Sequence, residues 1–153
     1  MPLDINSIHK GDFWYLKLKD TTNDVVGCIT SISPSFQSDT SEVQNCREDF
    51  ASQGSWRAYI MGAKSGEIAV EGYVKIAAAW NPVRFFNALD LETLLDFEIY
   101  PSEDGGVTKK SAGYEIKGKC WLTNLETSHP TNEIVTYSCT LLINGRPTKT
   151  IIP

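Results

Sequence analysis

Two stretches near the carboxyl end of the chain alternate apolar and polar residues with a period of two. In Gly113–Glu126, Tyr114, Ile116, Cys120 and Leu122 alternate with Glu115, Lys117 and Lys119. In Ile134–Gly145, Val135, Tyr137, Cys139, Leu141 and Ile143 alternate with Thr136, Ser138 and Thr140. This period predicts antiparallel strands with one buried face, joined here by the polar, proline-containing turn Thr127–Glu133. Phe13–Lys19 has the same pattern, with Trp14, Leu16 and Leu18 against Tyr15, Lys17 and Lys19; the Thr21–Asp24 cluster turns the chain into a second strand over Val25–Ile32. Ser55–Met61 and Glu67–Ile76 read as a hairpin across Gly62–Gly66, with Lys64-Ser65-Gly66 as turn chemistry. Ile68, Val70, Val74 and Ile76 take one face of it, and Glu67, Glu71, Tyr73 and Lys75 the other. Leu94–Tyr100 is a further strand.

Three segments break the strand rhythm. Ser33–Gly54 is a long polar run punctuated by Phe36, Val43 and Phe50. Loops of that length are rare in compact domains unless they have a function, so the three apolar residues predict a loop that docks on something. Asn81 and Pro82 supply a cap and a first-turn proline for a short helix over Val83–Leu91, with Val83, Phe85, Phe86 and Leu89 able to face a sheet. Pro101–Ser111, with Gly105-Gly106 and mixed charges, reads as a flexible surface connection. Strands, one helix, then strands predict a mainly β (α+β) fold: two packed antiparallel sheets forming a sandwich or barrel, one short flanking helix and a long polar loop.

Composition narrows the function. The 153 residues suit one domain covering 1–153. A net charge of -5 disfavours a surface that grips nucleic acid, because phosphate contacts need a basic face. Met1–Lys10 has neither a basic start nor an apolar core of a leader, and no run reaches the roughly eighteen apolar residues of a membrane span. Cys28, Cys46, Cys120 and Cys139 lie far apart without metal-binding spacing, and only His9 and His129 could assist them. Reduced thiols are expected, with Cys28, Cys120 and Cys139 as small apolar residues inside strands, although a Cys120–Cys139 cross-strand bond fits the pattern too.

Catalytic chemistry finds little support. His9 and His129 lack a nucleophile and a carboxylate in any recognisable arrangement. Glu67 with Glu71, and Glu48 with Asp49, are explained by solvated charges. Gly62–Gly66 lacks the first half of a phosphate-binding loop. No catalytic residue, metal ligand or cofactor is expected. Tyr114, Tyr137, Trp14 and Phe86 fall on apolar faces as core, whereas Trp56, Tyr73 and Trp121 could be interface anchors.

Taken together, these elements resemble the tail tube proteins of long-tailed bacteriophages, which are related to the tubes of contractile injection machines. The resemblance is carried by Gly113-Tyr-Glu-Ile-Lys-Gly-Lys-Cys-Trp-Leu-Thr-Asn-Leu-Glu-Thr and Asn132-Glu-Ile-Val-Thr-Tyr-Ser-Cys-Thr-Leu-Leu-Ile-Asn-Gly145, which are similar to the family's closing pair of strands. Val25-Val-Gly-Cys-Ile-Thr-Ser-Ile-Ser resembles the strand before the family's long loop, Ser33–Gly54 that loop, Lys64-Ser-Gly-Glu-Ile-Ala-Val-Glu-Gly the next hairpin, and Asn81–Leu91 the helix. The chain departs from many members at its end, where Asn144-Gly-Arg-Pro and Thr148–Ile152 replace a glycine-rich tip.

The resemblance implies a structural, non-enzymatic subunit of a virion tail, assembled in the host bacterial cytoplasm. Copies would close into hexameric rings by edge-to-edge sheet extension, and the rings would stack into a hollow tube that conducts DNA without binding it specifically. It further implies residues 1–12 as an N-terminal arm and residues 33–54 as an inter-ring loop anchored by Phe36, Val43 and Phe50. Candidates for the lumen or subunit-contact face are Thr30, Glu115, Lys117, Lys119, Thr136, Ser138 and Thr140. Implied partners are further copies of the chain, a tape measure protein, a tail terminator and baseplate or distal tail proteins, with no membrane. The alternatives are the inner tube of a contractile injection or secretion device and, from another class, a small β-barrel ligand-binding module.

Overall fold

The protein is described here by a computed structural model over residues 14–43, 58–111 and 113–153. Its strands are β1 (Trp14–Lys19), β2 (Asn23–Val25), β3 (Ile29–Val43), β4 (Ala58–Tyr73), β5 (Leu94–Pro101), β6 (Tyr114–Ser128) and β7 (Thr136–Ile151), with one helix among the described residues, α1 (Pro82–Asp90). They divide into two compact units, one comprising Met1–Pro34 with Glu67–Pro153 and the other Ser35–Gly66.

The mainly β class and the single flanking helix are as expected, but the strands form one sheet in place of two. Its order is β2-β1-β5-β6-β7-β4-β3. The joint is β5 against β6, paired from Leu94↔Trp121 to Ile99↔Ile116, which fuses the two halves that would otherwise be separate layers. The larger unit explains how one sheet still encloses a core. Between β2 and β3 the chain has only Val26–Cys28, yet the Val26 N–H donates to Leu16 O (2.8 Å) and Cys28 O accepts from the Tyr73 N–H (2.9 Å). A chain reaches at most about 3.3–3.6 Å per residue, so this strap forces the β1 side and the β4 side of the sheet to curl toward each other.

The strap also corrects the expected strand Val25–Ile32, which breaks at residues 26–28. Cys28 takes a left-handed φ of 59° and is exposed, not an apolar strand residue. Gly72 makes the crossing possible. A Cβ there would lie 2.5 Å from Cys28 O and 2.9 Å from the Tyr137 hydroxyl, so only glycine lets the strap close.

Inside the curl, the alternating residues meet as the pattern predicts. Leu16 and Leu18 of β1, Ile68 and Val70 of β4, Leu95, Phe97 and Ile99 of β5, Ile116, Cys120 and Leu122 of β6, and Tyr137, Cys139 and Leu141 of β7 form one core. Trp14 and Tyr114 pack at its edge with ring centroids 4.7 Å apart. Cys120 stands opposite Ile143 and Cys139 opposite Leu125, so the two cysteines are not cross-strand partners. Both are free thiols, each pushed up to about 12 by burial.

Helix α1 begins as the sequence predicts: Asn81 accepts the Arg84 N–H on its side chain (3.0 Å) and Pro82 opens the first turn. Its inward stripe differs from the expectation. Phe85 and Ala88 are buried and Leu89 packs against the core, whereas Val83 and Phe86 are 64% and 55% exposed. At 100° per residue, a helix that seats residues 85, 88 and 89 must turn 83 and 86 away. Beneath it, Trp80 donates from Nε1 to Leu18 O (3.3 Å) and its ring lies 5.1 Å from that of Phe85.

Arg84 ties this helix to the β1–β2 turn. Its Nε and Nη2 donate to the two carboxylate oxygens of Asp20 (3.0 and 2.7 Å), and Nη1 donates to Asp24 Oδ2 (3.0 Å). The guanidinium also lies 4.0 Å over the Trp80 ring. That fork holds the Asp20 carboxyl far below the usual carboxylate range.

Two further expectations are corrected in β3 and β4. Residues 33–43 are strand, not loop, because β3 runs unbroken to Val43; residues 44–54 lie outside the described residues. Likewise Gly62–Gly66 is no turn, since β4 is continuous from Ala58 to Tyr73. Glycine and serine mark turns only when no partner strand claims them, and here β3 is the neighbour of β4: a Cβ on Gly62 would lie 3.3 Å from Asp39 O. The Pro101–Ser111 connection is knit together, with the Tyr100 hydroxyl donating to Gly106 O (2.6 Å) and the buried Ser102 hydroxyl to Asp104 Oδ1 (2.6 Å).

Candidate assembly surfaces

In the larger unit, the face of the sheet turned away from the core gathers six of the expected contact residues into ordered rows. Lys17 pairs with Glu98, Glu98 with Lys117, and Lys117 with Thr148. One step along, Lys19, Asp96, Lys119 and Asn144 repeat the alternation of charge. Lys117 lies 3.8 Å from Glu98 and 3.4 Å from Glu115, and Lys119 lies 3.9 Å from Asp96. Lys109 bonds to Glu115 and sits 3.5 Å from Glu98. Burial raises the Glu115 carboxyl, but its lysine partners outweigh that and leave it below its ordinary value.

The other half of that face is neutral to acidic. Thr136 stands beside Ser128 and Tyr73, Ser138 beside Glu126 and Glu71, and Thr140 beside Asn124 and Ala69. These are the outward positions of β6, β7 and β4 in this region, and they carry no lysine or arginine. Thr30 of β3 joins Thr136 and Ser138 along a shallow cleft of about 460 Å³. All seven expected residues therefore lie on or beside one surface. Glu115 is tied into ion pairs and its side chain is only 13% exposed, so its first role is to hold β6 to the 102–111 connection.

Between these halves runs an apolar row of which pattern reading singled out only Trp121. Leu94, Trp121 and Leu142 are directly paired across β5, β6 and β7, with Leu94 36% and Leu142 43% exposed. The signal was Leu142, which doubles the apolar run Leu141-Leu142 on an otherwise alternating strand.

The smaller unit, Ser35–Gly66, carries a different surface. Phe36 is on β3 and exposed, as are Tyr59, Ile60 and Met61 on β4. Val43 is the last residue of β3, and Phe50 lies outside the described residues, as do His9, Cys46, Trp56 and the expected arm 1–12. Tyr59, Ile60 and Met61 were not singled out by pattern, because a strand apolar on consecutive positions has no alternation to read. His129 is exposed at the end of β6, with Nε2 3.0 Å from the Thr127 hydroxyl.

A curled sheet with one capped helix, an ordered polar face and exposed apolar strands describes a protein built to meet other protein surfaces. The sequence profile of the phage tail tube protein family matches residues 11–149, and the chain belongs to that family. It is a structural subunit of a tail tube.

Solved structures share the fold. A chain of the tail of an empty gene transfer agent particle, refined with C6 symmetry, superposes with a TM-score of 0.73 at 18% identity, covering 94% of this chain and 99% of that one. The tail tube of SPP1 gives 0.68 at 13% identity, covering 94% and 80%. A chain of the sheath–tube complex of an extracellular contractile injection system gives 0.66 at 14% identity, covering 97% and 95%. No curated protein sequence matches the chain.

Proposed function

We propose that copies of this chain close into six-membered rings which stack into the hollow tail tube of a virion, and that the tube conducts the genome. The observation that carries the stacking is the Ser35–Gly66 unit. A two-stranded ribbon is marginally stable in water, and this one exposes Phe36, Tyr59, Ile60 and Met61 with nothing of its own chain to cover them among the described residues. Docking on the next ring buries those side chains, with residues 33–54 as the inter-ring segment anchored by Phe36, Val43 and Phe50. The C6 tail with the same fold supports the ring number.

For the lumen, the neutral-to-acidic half of the sheet face is the better lining. Thr136, Ser138 and Thr140 beside Glu71 and Glu126 offer phosphates no cation, and every attractive phosphate contact would brake a moving polyanion. DNA then passes without specific binding. The chain works by assembly and shape and not by catalysis, in the virion tail after assembly in the host cytoplasm, meeting a tape measure protein, a terminator and baseplate or distal tail proteins. A contractile device remains the second reading, favoured by the likeness to the sheath–tube complex; co-assembly with a sheath protein distinguishes it.

The test is electron microscopy of the purified chain beside a Phe36→Ser/Ile60→Ser variant. Hollow tubes are expected from the parent, and isolated rings or monomers with an unchanged circular dichroism spectrum from the variant. Variant tubes equal in length to the parent's would refute the docking role of the ribbon.

A further inference from the structure

The larger unit carries two surface features that the tube reading leaves without a partner. One is a stripe of helix α1. Val83, Phe86 and Asp90 lie at i, i+3 and i+7 on one face, and Leu91 follows at the helix end; Val83, Phe86 and Leu91 are all exposed. The other is a groove of about 730 Å³ on the core side of the sheet, bordered by Trp14, Ile29, Ile32, Ile99, Tyr114 and Ile116. The two lie at opposite ends of β1, since Arg84 of the helix clasps Asp20 just past its last residue while Trp14 is its first.

We propose that the Val83–Phe86–Asp90 stripe of one copy seats in the Trp14–Ile32–Ile116 groove of the next copy in the ring. This rests on the tube reading and gives its lateral contact a place. Two different surfaces on one chain make a head-to-tail contact, the kind that closes into a ring by rotation; a self-complementary patch would stop at a dimer. The groove is far larger than one phenyl ring, so it takes the face of a helix and not a single side chain.

Charge fits the same pairing. The helix ends on Asp90, with Glu92 just past its Leu91 cap and no basic residue in its last turn, where its dipole is also negative. At the groove, Lys149 lies opposite Ile116 on β7, with its ammonium 4.6 Å from the centroid of the Tyr114 ring. The acidic helix end of one copy therefore approaches Lys149 of the next.

Sedimentation velocity on the full chain tests it. Phe86→Arg, at an exposed position, and Ile32→Arg, in the groove, are each expected to stay monomeric while keeping the parent's circular dichroism spectrum. Mixed together, they retain one competent surface pair, intact helix on intact groove, and are expected to give one-to-one dimers that grow no further. Should Ile32→Arg fail to fold, Lys149→Glu takes its place: Asp90→Lys and Lys149→Glu alone should each raise the protein concentration needed for rings at least tenfold, and the double variant should restore it. Rings from Phe86→Arg equal to the parent's, growth of the mixture beyond dimers, or indifference to both charge variants would overturn this contact and leave the tube reading standing. A parent chain that stays monomeric at every concentration would overturn both.

Discussion

Replacing Arg84 should loosen helix α1 from the sheet by an amount the geometry sets. The guanidinium forks onto both oxygens of Asp20 at 3.0 and 2.7 Å, reaches Asp24 at 3.0 Å and the Thr22 hydroxyl at 2.9 Å, and lies 4.0 Å over Trp80. Arg84 and Asp20 are 19% and 21% exposed, between the buried and surface limits. Hydrogen bonds to charged groups contribute about 1.5–3 kcal/mol when covered, and exposed pairs about 0.2–1 kcal/mol. Arg84→Ala, which also loses the ring contact, is therefore expected to cost about 2–3 kcal/mol.

Urea unfolding measures that cost, and a thermal melt should show a drop of about 5–10 °C for a domain of this size. Arg84→Lys should recover only part of it, because an ammonium cannot fork. The pH dependence gives a second reading. Since the folded Asp20 carboxyl titrates below its unfolded value, its contribution is complete above about pH 5 and is lost as the pH falls further. The gap between parent and variant should thus hold from about pH 8 to about pH 5 and shrink in more acid solution. A cost under about 0.5 kcal/mol, or a gap unchanged at about pH 2, would refute the clasp as the helix anchor.

Other consequences follow from the core. Among the described residues the buried Tyr137 hydroxyl has no hydrogen-bond partner, so Tyr137→Phe should leave stability unchanged or raise it by up to about 1 kcal/mol in urea unfolding. At Gly72 an added methyl would meet the backbone carbonyl of Cys28 at 2.5 Å, so Gly72→Ala should cost about 2 kcal/mol or more by the same measurement. Peptide mapping after native iodoacetamide treatment should find Cys28 alkylated and Cys120 and Cys139 untouched until denaturant is added, because burial removes both access and thiolate.

What was legible in the sequence tracks how one-sided each segment is. The strands around Leu16, Phe97, Ile116 and Tyr137 and the cap Asn81-Pro82 were readable because one face of each meets the core and one meets solvent. The family resemblance came from the order of the elements and the closing pair of strands, and the seven contact residues it implied lie on or beside one surface. Failures came where solvent, or another copy, faces both sides. Residues 33–43 and Gly62–Gly66 are polar or glycine-rich yet extended, because a neighbouring strand satisfies their backbone without any need for buried side chains. The break at Cys28 depends on a carbonyl reaching Tyr73 far along the chain, which no local pattern encodes. The exposed Phe86 was assigned to the core because a helix near a sheet offers two plausible stripes, and the Arg84 clasp selects between them.

Whether this chain forms rings that build a tube is decided by cryo-electron microscopy of the purified, concentrated protein. Six-fold rings or hollow stacked tubes, with the Thr136–Ser138–Thr140 face toward the lumen and the Ser35–Gly66 ribbon bridging successive rings, are the predicted result. A protein that remains a well-folded monomer at every concentration, or that assembles with that ribbon facing solvent, would contradict it.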